Sequence, residues 1–273
     1  MLCRPTCSAP NSCARLRMLS LRYAAHTSGN KVRISTRTSA FYHLACDGHA
    51  KIIYVFASQN ISLLLASQSP RRQELLALIG LPFAVKPVAL DESVGAGELP
   101  LAYAQRLARE KAQLAVLQNP GTMVIAADTV VVDGGEALGK PADAPAAARM
   151  LRRLQRAPHS VVTALVVAGG SAAALQHEHC STTVVLRSFS EPELQRYIAS
   201  GDPMDKAGAY AIQNAEFRPA SNIGGCLANV IGLPLCHLTR ALRRAGAHVA
   251  ADVPRACQAH LQYSCPVHQD ILS

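Results

Sequence analysis

Leu63-Leu64-Leu65-Ala66-Ser67-Gln68-Ser69-Pro70-Arg71-Arg72-Gln73-Glu74-Leu75-Leu76 changes character halfway along, and that change decides the fold. The first four residues are apolar without a break, as in a buried strand. After Ser-x-Ser-Pro-Arg-Arg, apolar residues resume at Leu75, Leu76, Leu78 and Ile79 with helical spacing. Ser69 is suited to cap the helix, Pro70 to open it and Gly80 to end it. A strand, a tight loop and a helix follow. Free backbone N–H groups at the helix start, the hydroxyls of Ser67 and Ser69, and two guanidinium groups would then converge where a phosphate could sit. A capped helix with two solvated arginines is the competing reading.

Outward from this stretch the chain alternates. Phe83-Ala84-Val85 is extended and leads to Asp91-Glu92, adjacent acids of the kind that bind a divalent cation or simply form an acidic loop. Residues 101–118 are helical, with Arg106, Arg109 and Lys111 spaced so that they cannot all share one face. Residues 123–132 are β-branched or small without alternation, as in a strand covered on both faces. Asp128 sits in the middle of that strand, where a carboxylate is costly unless it has a metal, a hydrogen-bond set or a reaction to serve. Asp133-Gly134-Gly135 makes a turn, and Gly139-Lys140-Pro141 offers a lysine in a constrained loop. Helices are expected over 145–156, 190–200 and 234–245, and strands over 160–168 and 180–186. Ser190-Glu191-Pro192-Glu193 forms a capping box. The class is α/β, with no Walker or dinucleotide glycine fingerprint.

The net charge of +9 is not spread evenly. Residues 1–60 hold eight Lys/Arg against one acid, leaving 19 basic and 17 acidic residues for the rest. A nearly balanced body without Trp argues against a nucleic-acid partner. No apolar run reaches the length of a membrane helix, so no membrane role is expected. The nine cysteines include no Cys-x-x-Cys pair, and the odd number without a secretory signal fits a reducing, cytoplasmic setting. His177-Glu178-His179-Cys180 reads as the exposed face of a strand rather than a metal tract. Residues 1–60 form a basic extension resembling either a transit peptide or sequence upstream of an internal start such as Met18; residues 51–58 would be an extra strand or part of it. The folded domain is expected over 61–248, followed by a tail, 249–273, with little order.

Six motifs in one order resemble the Maf-type nucleoside triphosphate pyrophosphatases: Ser67-Gln68-Ser69-Pro70-Arg71-Arg72, Arg106-Leu107-Ala108-Arg109-Glu110-Lys111-Ala112, Ala127-Asp128-Thr129-Val130, Gly139-Lys140-Pro141, Asp205-Lys206-Ala207-Gly208-Ala209-Tyr210 and Val230-Ile231-Gly232-Leu233-Pro234-Leu235. The resemblance implies an elongated mixed sheet flanked by helices, two lobes with a central cleft, and often a homodimer. It also implies metal-dependent hydrolysis of a nucleoside triphosphate to the monophosphate and diphosphate. Asp205-Lys206 with Ile212-Gln213 is similar to the branch acting on dTTP and UTP, and Arg71, Thr129 and Gln213 match positions that the family associates with base choice. Asn214-Ala215-Glu216-Phe217 and Gly225-Cys226-Leu227-Ala228 depart from the family pattern.

The chemistry has its own logic. About four negative charges on a triphosphate must be offset before water can attack the α-phosphorus. Glu92 and Asp128 are the expected ligands of Mg²⁺ or Mn²⁺, with Asp128 also the base for the attacking water. Arg71, Lys111 and Lys140 are expected to hold the phosphates and the departing diphosphate. Broader cleansing of non-standard nucleotides and a nonenzymatic role in cell division are the alternatives.

Overall fold

In the computed structural model, residues 62–169 and 175–273 are described in full. Before them only four short strands are described, β1 (His26–Ser28) with β2 (Lys31–Arg33) and β3 (Phe41–Cys46) with β4 (His49–Tyr54), each an antiparallel pair. They belong to a unit of their own, Met1–Asn60, and the second unit is Ile61–Ser273. The transit-peptide and internal-start readings, and residues 55–60, lie outside the described residues.

The second unit opens as its sequence dictates. Strand β5 (Leu63–Leu65) is fully buried, and helix α1 (Pro70–Ala77) starts behind Ser69, whose Oγ accepts from Arg72 N at 3.4 Å. Then come β6 (Phe83–Val85), α2 (Pro100–Gln118), β7 (Met123–Asp133), β8 (Glu136–Leu138), α3 (Ala144–Leu154), β9 (His159–Ala168), β10 (Gln176–Leu186) and α4 (Glu191–Ala199). Two 3₁₀ turns, Asp202–Asp205 and Ala207–Ala209, precede β11 (Ala220–Gly224), α5 (Leu227–Ile231) and α6 (Leu235–Arg244). The expected capping box closes α4: Ser190 N and Oγ reach Glu193 Oε2 at 2.8 and 2.9 Å.

Seven strands form one mixed sheet in the order β11-β10-β9-β7-β5-β6, with β8 added to β7. Strand β5 runs parallel to β6 and β7; the remaining pairs are antiparallel. The β7–β8 hairpin turns through Gly134 and Gly135, both at positive φ, which a two-residue loop of this hand requires.

The sheet is covered on both faces, and this accounts for the unalternated β7 sequence. On one face α2 lays Ala104, Ala108, Ala112 and Ala115 against Val124, Ala126, Val130, Val162 and Val166. On the other face there are two separate cores. One packs α1 and α6 against Ile125, Ala127, Leu165 and Val167; the other packs α3 and α4 against Val131, Val161 and Val184. Two lobes result, and the middle of β7 and β9 lies between them. Each fully buried leucine, such as Leu76, Leu165 or Leu238, contributes roughly 2 kcal/mol by leaving water.

The tail departs from its sequence reading. Helices α7 (Val253–Leu261) and α8 (His268–Leu272) form there, and Val253 and Cys257 enter the α1/α6 core. The apolar residues are too few for periodicity to reveal a helix, and tertiary packing supplies what local pattern does not.

Candidate active site

On one edge of β7, β5 pairs with residues 123–125 and β8 with residues 131–133, so residues 126–130 face no strand there. Asp128 and Thr129 lie in this gap. Neighbouring strand residues point to opposite faces, which sends Asp128 toward α2 and Thr129 toward the seam between the two lobes.

On the α2 side Lys111 lies on the same buried stripe as Ala104, Ala108, Ala112 and Ala115. Its Nζ is 2.7 Å from Asp128 Oδ1 and 2.6 Å from Glu92 Oε1. The Lys111 and Asp128 side chains are only 10% and 12% exposed, whereas that of Glu92 is 49% exposed. An ammonium in an apolar stripe persists because two carboxylates compensate it. The loop carrying Glu92 is held by α2 itself: Tyr103 donates to Glu92 O at 2.8 Å, and Arg106 to Ser93 O at 2.9 Å and Glu98 Oε1 at 2.8 Å. Burial acts to raise the Glu92 carboxyl, but the bond and charge of Lys111, aided by Lys140 and Arg72, bring it below the usual carboxylate value. Burial, with Asp128 and Glu92 close by, pushes the Tyr103 phenol up.

On the opposite side the central cation is Arg72. Its Nε donates to Gly232 O at 2.9 Å, Nη1 to Ser67 Oγ at 3.3 Å and Nη2 to Thr129 Oγ1 at 3.0 Å. A guanidinium has five N–H donors, so these three bonds leave two for a ligand. Burial draws Arg72 below its ordinary value, and the charge of Asp128 works against that shift. Gly232 is at φ +120°, and a Cβ there would stand 3.4 Å from Arg72 Nε and 3.3 Å from Thr129 Oγ1. Behind Arg72, Thr129 meets Thr163 at 2.9 Å. Fully buried Asn229 ties Thr163, Val161 and Thr182 together through bonds of 3.1, 2.8 and 2.9 Å.

The structure therefore brings Glu92, Lys111 and Asp128 into one ion-pair cluster, and Ser67, Arg72 and Thr129 into one hydrogen-bonded group. Exposed Lys140 contributes its charge to Glu92. Its loop is fixed by the bond from Gly208 N to Gly139 O at 3.1 Å. Ser69 caps α1 and donates its own N–H to Ser67 Oγ at 3.2 Å. Arg71 is half-buried, with its charge acting across the cleft on Asp205 and Tyr197. Gln213 is exposed on a turn held by Tyr197, which accepts from Ala211 N at 2.8 Å, and by Asn214, which donates to Asp202 at 3.1 Å. Thr129 spends its hydroxyl on Arg72 and Thr163 rather than presenting it freely.

The sequence places both guanidinium groups of Arg71-Arg72 near a phosphate but assigns the phosphates to Arg71, and it gives no role to Tyr103, Thr163 or Asn229. Arg72 was visible as the second Arg of the Pro-Arg-Arg triplet; the other three carry no signal outside the fold. The His177-Glu178-His179-Cys180 tract is a strand face, as expected: His177 and His179 are exposed, while Glu178 is buried against Arg240 and Arg244 at 2.6 and 3.1 Å.

Two carboxylates offer hard oxygen donors, and Lys111 engages one oxygen of each. Mg²⁺ is commonly bound by one or two carboxylates, with waters and substrate phosphates completing its shell, and Glu92 and Asp128 fit that role. Among the described residues no group of three or more His, Cys, Asp or Glu is placed to hold a metal on its own.

A "dTTP/UTP pyrophosphatase" of Anaeromyxobacter dehalogenans is 47% identical over 186 residues, covering 67% of this chain and 94% of that protein. One of the same name from Thermomicrobium roseum is 42% identical over 212 residues, covering 76% and 94%. The solved structure of the Staphylococcus aureus Ham1 protein aligns with a TM-score of 0.36 at 13% identity, over 58% of this chain and 90% of that one. The model of the family described as Maf-like protein matches residues 62–245, which takes in β5 through α6 and every site residue above, and the chain belongs to that family.

Proposed function

We propose that this chain is a nucleoside triphosphate pyrophosphatase that hydrolyses dTTP and UTP to the monophosphate and diphosphate. The observation that carries the reading is Lys111 bridging Glu92 and Asp128 in the β7 gap, with Arg72 on the other side of the same gap. The names of the relatives from A. dehalogenans and T. roseum support the choice of pyrimidine nucleotides.

A Mg²⁺ or Mn²⁺ held by Glu92 and Asp128, when bound, offsets phosphate charge and lowers the pKa of a water. Asp128, which holds the ion directly or through water, takes the proton of the attacking water. Lys111, Lys140 and the two spare donors of Arg72 hold the phosphate oxygens and stabilise the leaving diphosphate. Arg71 joins the groups that hold the phosphates, and Gln213 pairs its amide with the imide edge of uracil or thymine. Ser67 and Thr129 act through Arg72. A cytoplasmic location is consistent with the free cysteines of the described residues, and no described helix is long and apolar enough to cross a membrane. A homodimer is the proposed assembly, and the sheet has β6 as an end strand with Ala84 and Val85 exposed.

Diphosphate release from dTTP, UTP, CTP, GTP, dATP and ITP with Mg²⁺ or Mn²⁺ tests the reading. Preference for dTTP and UTP is expected. Equal rates on all six would replace it with general nucleotide cleansing, and no release from any would remove the enzymatic reading.

A further inference from the structure

Behind the catalytic gap the direction of each hydrogen bond follows from the partners alone. Thr163 stands opposite Thr129 on the neighbouring strand β9 and is fully buried, as is Asn229 of α5. The Thr163 hydroxyl lies 3.0 Å from Asn229 O, and a carbonyl can only accept, so the one proton of that hydroxyl goes there. Its 2.9 Å contact with Thr129 Oγ1 therefore takes Thr129 as the donor. With its proton spent in that direction, Thr129 turns a lone pair to Arg72 Nη2 at 3.0 Å, the polarity a guanidinium needs. Asn229 is fixed just as firmly. Its Oδ1 accepts from Thr163 N at 3.1 Å, and its Nδ2 donates to Val161 O at 2.8 Å and Thr182 Oγ1 at 2.9 Å. Exchanging the two amide atoms would set an N–H against an N–H and an oxygen against an oxygen.

Both ends of this arrangement rest on one helix. α5 carries Asn229 in its middle and ends at Gly232, whose carbonyl accepts from Arg72 Nε at 2.9 Å. We propose that Thr163 is a positioning residue for the triphosphate, the middle link of a one-way hydrogen-bond series from Arg72 through Thr129 and Thr163 to Asn229. The series fixes the plane of the Arg72 guanidinium and so aims its two spare N–H groups at the phosphates. What those donors receive rests on the pyrophosphatase reading of the gap; how they are aimed rests on the hydrogen bonds alone. A planar fork is worth more than a point charge only while its plane is held. Thr163→Val keeps the volume but removes both the acceptor for Thr129 and the donor to Asn229. The Thr129 proton is then free to turn toward Arg72, and Nη2 loses its fixed partner. Thr163→Ser keeps the hydroxyl and the series.

Two measurements test this role. In diphosphate release from dTTP with Mg²⁺, Thr163→Val should lower kcat/KM by roughly fivefold, chiefly through KM, and Thr163→Ser should restore it. In an Arg72→Lys background the same Thr163→Val change should alter kcat/KM by less than about twofold, because the fork that it aims is gone. An unchanged kcat/KM in Thr163→Val, or an equal loss in both backgrounds as a merely structural residue would give, would overturn the proposal. The second measurement needs no nucleotide. In protein labelled with ¹⁵N-arginine, the Arg72 signal, identified by its loss in Arg72→Lys, should show distinct Nη1 and Nη2 groups that merge in Thr163→Val. Thr129→Val, which cuts the series one link nearer to Arg72, should merge them as well and serves if the Thr163 variant does not fold. Distinct groups in the valine variants would overturn the series whatever the activity. Merging on substitution in a protein that releases no diphosphate from any nucleotide would uphold the series and remove the pyrophosphatase reading instead.

Discussion

The Lys111 ammonium stands 2.7 Å from the Asp128 carboxylate, and both side chains are nearly withdrawn from solvent. One is carried by a helix otherwise lined with alanine, the other by a strand otherwise lined with valine and alanine. Asp128 would not be stable there without Lys111, whose own charge is offset by both Asp128 and Glu92.

Asp128→Asn keeps the shape and the Lys111 contact but removes the base. The variant should give an unchanged circular dichroism spectrum and a rate of diphosphate release lower by about 10²–10⁴. Retention of most activity would show that another group accepts the proton.

Lys111→Met leaves Asp128 buried without its partner and should cost about 3–5 kcal/mol in urea unfolding. Adding Asp128→Asn to it should return part of that loss, since the stranded charge is then gone. A double-mutant cycle with no coupling would contradict the buried pair.

Arg72→Lys retains the charge and loses the fork that reaches Ser67, Thr129 and Gly232 at once. A stability loss of about 2 kcal/mol is expected, together with a raised KM for the triphosphate. Arg71→Lys, which breaks no such set, should leave the unfolding midpoint where it was.

His159 is 3% exposed, bonded through Nε2 to Tyr210 at 2.8 Å, and its Nδ1 has no partner. Burial takes its value from 6.5 down to about 4. Because the unfolded chain binds the proton first, stability is full above pH 6.5 and falls as pH drops toward 4. The loss is about 3 kcal/mol over that window. Urea midpoints between pH 7.5 and 4.5 should slope accordingly, and His159→Gln, which can keep the Tyr210 bond, should remove that part of the slope.

Much of this molecule was legible in its local pattern. The Leu63–Ala66 run, the Ser69 and Pro70 start of α1, the valine-rich β7 and the Ser190 capping box all formed where residue spacing put them, because each is determined by neighbours within a turn or a strand length. Asp128 stood out because a carboxylate in an apolar strand needs a partner wherever the strand ends up.

The identity of that partner was another matter. Lys111 is 17 residues away from Asp128 in sequence and Gly232 is 160 from Arg72, so only the packing of α2 and α5 on the sheet chose them. The same holds for Asn229 and Thr163, ordinary polar residues until burial obliges each to find the other, and for the tail, whose helices exist by docking on α6 and the β11 turn. Sequence alone determined the elements and the residues too costly to bury idly. The tertiary structure decided which of them meet, because an unpaired charge or polar group inside the fold costs more than the local chain can specify.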